Sequence, residues 1–430
     1  MAEDPCVDES SRRGPGVWEQ LAAVLVAFVV LLVGVHALTN GLAYDFGIYY
    51  HGGATAWDTG RPGLADGWVG TPFAAAVLAS MTRILRLADA ARLVTAVNLA
   101  IVATAAVALW RMLRSHLRAG LALAVTAGST LLFAPVVSTI WWRQLNLVAL
   151  GLAVLGFLQV RRGRPGSGAA LIGSSLALKP LFVVLPVALV LRRETRRAGV
   201  HALAWTAGLL TLGQVFLAVR ASDARLLEPW RAYRDFTTPA FDAAGSHACH
   251  PANVSLQATM CRVVGDHLWS AQRLLALGIA VAITWASLSA VRRYRGTSFE
   301  YMAVACGISP LFGPIAWTHY QIALAPLLIV VLLHLVLTPR WIAWVLVICA
   351  YVGLSLVWSP AMAVPRLASD WFGGTPLHDS FVLMRVAMVF QYLLIGVGCW
   401  VLRADAMAGV PEPEVVLLRA QPASTEAVVR

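Results

Sequence analysis

Apolar runs of roughly twenty residues follow one another along the chain, parted by short polar turns rich in arginine, and that rhythm predicts membrane helices. Residues 18–39 form the first run, long enough at ~1.5 Å per residue to cross a hydrocarbon core of ~30 Å. Arg12 and Arg13 precede it and no small-residue cleavage site follows. The run therefore reads as a retained signal anchor that keeps a short tail, residues 1–17, in the cytoplasm. Further spans are expected at 92–113, 119–139, 148–160, 200–219, 269–291, 301–314, 322–337, 341–358 and 381–402. Between the first two lies a mixed segment, 45–90, punctuated by Gly52-Gly53 and Gly60-Arg61-Pro62-Gly63. Its apolar run from Thr71-Pro72-Phe73 to Leu85 is interrupted by Arg83 and is short for a span, which suits helices lying on the membrane surface.

The stretch 167–191 breaks the rhythm. Arg161, Arg162 and Arg164 stand before it, and Arg192, Arg193, Arg196 and Arg197 after it. A simple span would leave one of these clusters outside, against the positive-inside rule. Lys179-Pro180 falls midway, and proline ends or kinks a helix by removing a donor and clashing with the preceding turn. Two short helices forming a V from the cytoplasmic side, with Lys179 near the apex, satisfy both facts. Counting the V as two, the charge pattern gives about 12 membrane helices in an all-α domain at 18–403, followed by a cytoplasmic tail at 404–430.

Composition sharpens the class. Of 430 residues, 59% are hydrophobic and 13% charged, too little polar surface for a soluble globule. Basic residues exceed acidic ones by 33 to 22, but they sit in the turns between spans, so the excess marks membrane topology and not a nucleic-acid partner. Lys179 is the single lysine; every other basic residue is arginine. The six cysteines have no metal-ligand spacing. Cys249 and Cys261 share one polar loop, 220–267, and could pair if it faces an oxidising compartment.

This topology sends Asp45, Arg143, Gln144, Asn146, Asn253, Arg262 and His319 to the outer face, with Lys179 pointing toward them from below. An intramembrane lysine costs ~2.5–3.5 kcal/mol on insertion scales and faces a polar cavity with a partner. A lipid-linked phosphate is one such partner; an ion pair or the cap of a broken helix is the plainer one.

Several motifs in chain order carry a resemblance. They are Asp45-Phe46 with Tyr49-Tyr50, Arg143-Gln144-Leu145-Asn146, Leu178-Lys179-Pro180, Asn253-Val254-Ser255-Leu256 with Arg262, and Ser309-Pro310 leading to Trp317-Thr318-His319-Tyr320. Together they resemble glycosyltransferase family 87, membrane enzymes of the GT-C fold that use polyprenyl-phosphate sugars in actinobacteria. Two departures stand out: Arg143 occupies the place of a glycine in Gly-Gln-x-Asn, and an aromatic-Pro-Pro motif is reduced to Thr71-Pro72-Phe73.

The resemblance implies inverting transfer of a sugar, mannose first and arabinofuranose a close second, from a polyprenyl phosphate to a glycolipid or cell-envelope glycan on the outer face of the plasma membrane. No cofactor is implied, because the lipid-linked sugar phosphate is itself a substrate. One base must deprotonate the acceptor hydroxyl. Asp45 fits that role, and Asp58, in Trp57-Asp58-Thr59-Gly60, is the rival that reads more as a turn residue. His319 could meet the leaving phosphate or the acceptor. Lys179 and Arg262 suit phosphate, while Gln144, Asn146 and Asn253 suit substrate hydroxyls or, equally, helix caps. A broken helix with a charged apex also marks secondary transporters, so a transporter or flippase for a lipid-linked or anionic substrate is the alternative; the lack of an inverted repeat and the crowding of polar residues on one face count against it.

Overall fold

The computed structural model describes residues 44–65, 67–114, 117–221, 253, 255–264, 269–291, 298–313, 316–356 and 380–409, with Val35 and Thr39. Most of the expected first span, the tail at 1–17, residues 410–430 and most of the stretches 220–267 and 359–380 lie outside the described residues. All the regular structure described is helical. In chain order the helices are α1 (Tyr44–Thr59), α2 (Pro72–Ile84), α3 (Leu87–Leu113), α4 (Ala119–Ser129), α5 (Ala134–Trp141), α6 (Asn146–Arg161), α7 (Pro165–Leu178) and α8 (Val184–Val190). They continue as α9 (Arg196–Arg220), α10 (Leu256–Val264), α11 (Trp269–Ala290), α12 (Phe299–Ile308), α13 (Ala325–Leu337), α14 (Trp341–Leu356) and α15 (Ser380–Met407).

Among the described residues five helices are long and apolar enough to cross a membrane: Leu87–Leu113, Arg196–Arg220, Ala271–Ala290, His319–Leu337 and Met388–Met407. The expected straight span at 119–139 is bent by 53° between α4 and α5 and would make a sixth. The cause is local: Pro135 opens α5, and a proline ring there cannot supply the backbone donor that would continue α4. The last helix runs on to Met407, past the expected end of the membrane domain at 403.

The break at Lys179 is where the sequence places it. Lys179 takes φ −152° and ψ 115°, the extended backbone that a residue before proline is driven to, and α7 ends there. A short 3-10 turn, Pro180–Phe182, leads into α8. Helix α9 measures the depth of both arms. Its Gly199 closes on Pro186 and Val190 of α8, and its Thr206 hydroxyl donates to the Gly173 carbonyl of α7 at 3.3 Å. Both arms thus flank one end of α9, on the same side of Lys179. Farther along α9, Gly213 closes on Pro72 and Phe73 of α2, and Arg220 Nε donates to the Trp57 carbonyl of α1 at 2.5 Å. The apex of the V therefore points toward α1 and α2.

Local chemistry pins these parts. Thr71 caps α2 by accepting from Ala74 N at 3.0 Å, with Pro72 in the first turn, and its hydroxyl donates to the Ala177 carbonyl of α7. Ser309 donates to the Ala305 carbonyl at 2.8 Å and accepts from Val184 N at 3.1 Å, so the Ser309-Pro310 motif caps the start of α8. Phe157, Phe182, Leu185, Met302, Ile308 and Leu327 lie in one apolar core that joins α6 to α8 with α12 and α13. Away from the apex, α12, α13 and α15 share a buried polar knot: His334 lies 2.8 Å from Asp405 and 3.5 Å from Glu300, and Arg340 pairs with Asp405. Cys261 in α10 is disulfide-bonded; its partner lies outside the described residues.

Candidate active site

Three elements from distant parts of the chain meet at the apex of the V. Asp45 and Tyr49 stand one turn apart on α1, Gln144 lies in the turn between α5 and α6, and Lys179 ends α7. The turn that delivers Gln144 closes α5 with two backbone bonds, Arg143 N to Ile140 O at 3.1 Å and Gln144 N to Thr139 O at 2.9 Å. That pairing is a Schellman motif, whose penultimate residue takes the left-handed conformation and is usually glycine. Arg143 fills it with φ 53°, the single non-glycine residue with positive φ among those described. The resemblance's glycine is thus explained by the backbone: the position needs φ > 0, and arginine meets the need at a cost of ~1–2 kcal/mol.

Gln144 then bridges the two charges. Its Nε2 donates to Asp45 Oδ2 at 2.6 Å. Its Oε1 accepts from the Tyr49 hydroxyl at 2.7 Å and from Lys179 Nζ at 3.0 Å, and Lys179 also donates to the Tyr49 hydroxyl. The ammonium lies over the rings of Tyr49 and Tyr320, 4.9 and 4.7 Å from their centroids, positions that stabilise a cation. An ammonium has three donors; two are used here, which leaves one for an anionic ligand. Behind Gln144, Asn98 of α3 donates to its backbone carbonyl at 2.9 Å.

Burial raises the Asp45 carboxyl above its ordinary pKa, while the Gln144 hydrogen bond and the Lys179 charge pull it back. Burial likewise holds the Tyr49 phenol well above its ordinary value, helped by Tyr320 and Asp45, so it remains a donor to Gln144. Lys179 borders a cleft lined by the apolar Val69, Leu145, Leu178, Pro180, Leu181 and Pro310 and by the polar Tyr49, Lys179 and Tyr320. A phosphate on an apolar chain matches that division of surface.

The other residues expected in the site divide. His319 is buried, its ring edge-on to Tyr320 with centroids 4.8 Å apart, one ring away from Lys179. Asn146 Nδ2 donates to the His319 carbonyl at 2.9 Å, so Asn146 holds the histidine's backbone. Asn253 Oδ1 accepts from Ser255 N at 3.1 Å and Ala316 N at 2.9 Å, fastening the residues before α10 to the turn ahead of His319. Asp58 is exposed, 3.8 Å from Arg83, and takes no part in the cluster. The Arg262 side chain lies outside the described residues. Asn98 was not singled out from sequence, although a lone amide within an apolar span is itself a signal, since polar groups at membrane depth face the protein interior.

The family model for Glycosyltransferase family 87 matches residues 68–314. A relative from Mycolicibacterium smegmatis, a polyprenol-phosphate-mannose-dependent alpha-(1-2)-phosphatidylinositol mannoside mannosyltransferase, is 28% identical over 428 aligned positions that cover 87% of this chain and 91% of the relative. No solved structure matches.

Proposed function

The chain belongs to glycosyltransferase family 87, and on that premise we propose that it transfers mannose from a polyprenyl phosphate to a mannosylated phosphatidylinositol glycolipid at the outer face of the membrane. The observation that carries this reading is the Asp45 carboxylate joined through Gln144 to the Lys179 ammonium, which itself lines a largely apolar cleft. Asp45 takes the proton of an acceptor hydroxyl as that oxygen bonds to the anomeric carbon. The bond from that carbon to the phosphate oxygen breaks, and the lipid phosphate leaves with the electron pair beside Lys179. Configuration at the anomeric carbon inverts, because attack and departure lie on opposite faces.

The mannose and phosphatidylinositol mannoside assignments rest on the mycobacterial relative's activity. The fold we infer is GT-C with about 12 membrane helices, α1 and α2 lying at the outer surface. The Cys261 disulfide supports an outward loop before α11, since such bonds persist in oxidising compartments; Cys249 is its expected partner. Arabinofuranose is the second reading, because Lys179-Pro180-Leu181 resembles the arabinofuranosyl members of the family at this break, and Leu181 lines the cleft next to Lys179. Purified protein in detergent, given short-chain polyprenyl phosphates carrying mannose or arabinofuranose in parallel, tests both. Mannose transfer is expected; transfer of arabinofuranose alone overturns the sugar assignment, and binding without transfer of either overturns the enzymatic one.

A further inference from the structure

We propose that Gln144 is a positioning residue: its side-chain amide fixes the Asp45 carboxylate and couples it to Lys179, and it does not contact the sugar. The inference rests on the reading of Asp45 as the base and assigns a regulator of that base's geometry and basicity.

The amide's two ends are told apart by their neighbours. An ionised carboxylate only accepts hydrogen bonds and an ammonium only donates them, so Nε2 must face Asp45 and Oε1 must face Lys179. Exchanging the two would set an N–H against the ammonium and one oxygen against another. The side chain is then nearly spent. Both lone pairs of Oε1 are taken, by Tyr49 and Lys179, and one N–H of Nε2 is taken by Asp45. With 2% of its surface exposed, Gln144 has no open face for a sugar hydroxyl.

Its backbone is held just as firmly. The amide N is in the Schellman turn and the carbonyl accepts from Asn98. A side chain fixed at both backbone groups is suited to placing a neighbour, because productive geometry depends on supporting contacts. On Asp45, the bond to Oδ2 leaves Oδ1, which takes no hydrogen bond from the described residues, to receive the proton. The bridge also links the two charges electrically. An ionised Asp45 and a charged Lys179 favour the same amide orientation, so each supports the other through a polarised chain of bonds.

Two substitutions separate this role from sugar contact. Gln144→Glu sets a second carboxylate beside Asp45 and raises the base's pKa by like-charge repulsion. Gln144→Met keeps nearly the volume, removes the donor to Oδ2 and raises that pKa by the loss of its hydrogen bond. The assay uses the full chain in detergent, short-chain polyprenyl-phosphate mannose as donor and a phosphatidylinositol mannoside as acceptor, with kcat and both KM values followed across pH. In each variant the acid limb of kcat is expected to move to higher pH, by about one unit or more in the glutamate variant. For Gln144→Met kcat at the optimum is expected to fall ~10- to 100-fold, the usual penalty of a misplaced catalytic group, with donor KM little changed. A raised donor KM with an unmoved acid limb in Gln144→Met would overturn the proposal and return Gln144 to the sugar. Asp45→Asn keeps the two claims apart. If that variant stays active, the base assignment fails; if it is inactive and neither glutamine variant moves the limb, the role given to Gln144 alone fails.

Discussion

Lys179 Nζ lies 3.0 Å from Gln144 Oε1, and the same amide meets Asp45 through its nitrogen at 2.6 Å. The sole lysine of the chain therefore answers to a carboxylate through one intervening side chain, not by a direct ion pair. This arrangement keeps the ammonium buried and supported while leaving it a donor for an incoming anion. Lys179→Met should accordingly weaken use of the donor more than use of the acceptor. Titrating donor at fixed acceptor is the check, and an unchanged donor dependence in a folded variant would make Lys179 purely structural.

The same substitution carries a pH signature. With Asp45 as the proposed base, turnover needs its ionised form, and the Lys179 charge lowers that carboxyl's pKa against the larger effect of burial. Removing the charge lets the pKa rise, so the protonated, inactive form persists to higher pH. The acid limb of the kcat profile should move upward in Lys179→Met, and a limb that stays or moves downward contradicts the coupling.

Asp45→Asn keeps the volume and removes the basic oxygen. General-base assistance is typically worth ~10²–10⁴-fold, so transfer should fall by that order while donor binding is retained. Asp58→Asn should be much milder, since Asp58 is exposed and lies beside Arg83 outside the cluster. Retention of more than roughly a tenth of wild-type turnover in Asp45→Asn would place the base elsewhere.

Much of this site is legible in the sequence, and the reason differs by residue. Lys179 announces itself as the only lysine, set in an apolar run ahead of a proline, and the structure ends a helix there as the steric rule for a residue before proline requires. Gln144 and Asn146 are visible as polar residues at a helix start, but their spacing does not say what they bind. That depends on which distant elements pack around the turn: α1 supplies Asp45 to one, and the residues ahead of α13 supply the His319 carbonyl to the other. The kink between α4 and α5 is missed because hydropathy averages over it, although Pro135 is there to be read. The polar knot of His334, Asp405 and Glu300 is only half legible, since His334 stands out within an apolar span but its partners stand on two other helices and no spacing links them.

The αL position of Arg143 makes a sharper test of backbone against side chain. If the site needs only the turn that presents Gln144, Arg143→Gly should keep transfer within roughly threefold of wild type, because glycine is the preferred residue of this motif. A β-branched residue is a true outlier at positive φ. Arg143→Val should therefore cost thermal stability and lower kcat by ~10-fold or more through a displaced Gln144. An inactive glycine variant with normal stability would show instead that the guanidinium itself is used.

The last prediction concerns the sidedness of the V. Both arms pack on one end of α9: Pro186 and Val190 of α8 meet Gly199, and Gly173 of α7 meets Thr206. Between them Lys179 reaches Tyr49 of α1, near where α9 arrives with Gly213 and Arg220. Two arms that share one end of a long helix and meet toward its other end return to the face they left. Arginines crowd both of their free ends, which the positive-inside rule assigns to the cytoplasm. Ser167 and Glu194 are exposed at those two ends, so each can carry a reporter cysteine in a background where Cys349, the exposed free thiol among the described residues, and Cys6 are replaced. Membrane-impermeant thiol reagent added to intact cells should label neither Ser167→Cys nor Glu194→Cys, and should label both once the membrane is opened. Labelling of one of the pair from outside would make the stretch a simple crossing, put an arginine cluster on the outer face and remove the argument that Lys179 approaches its substrate from the cytoplasmic side.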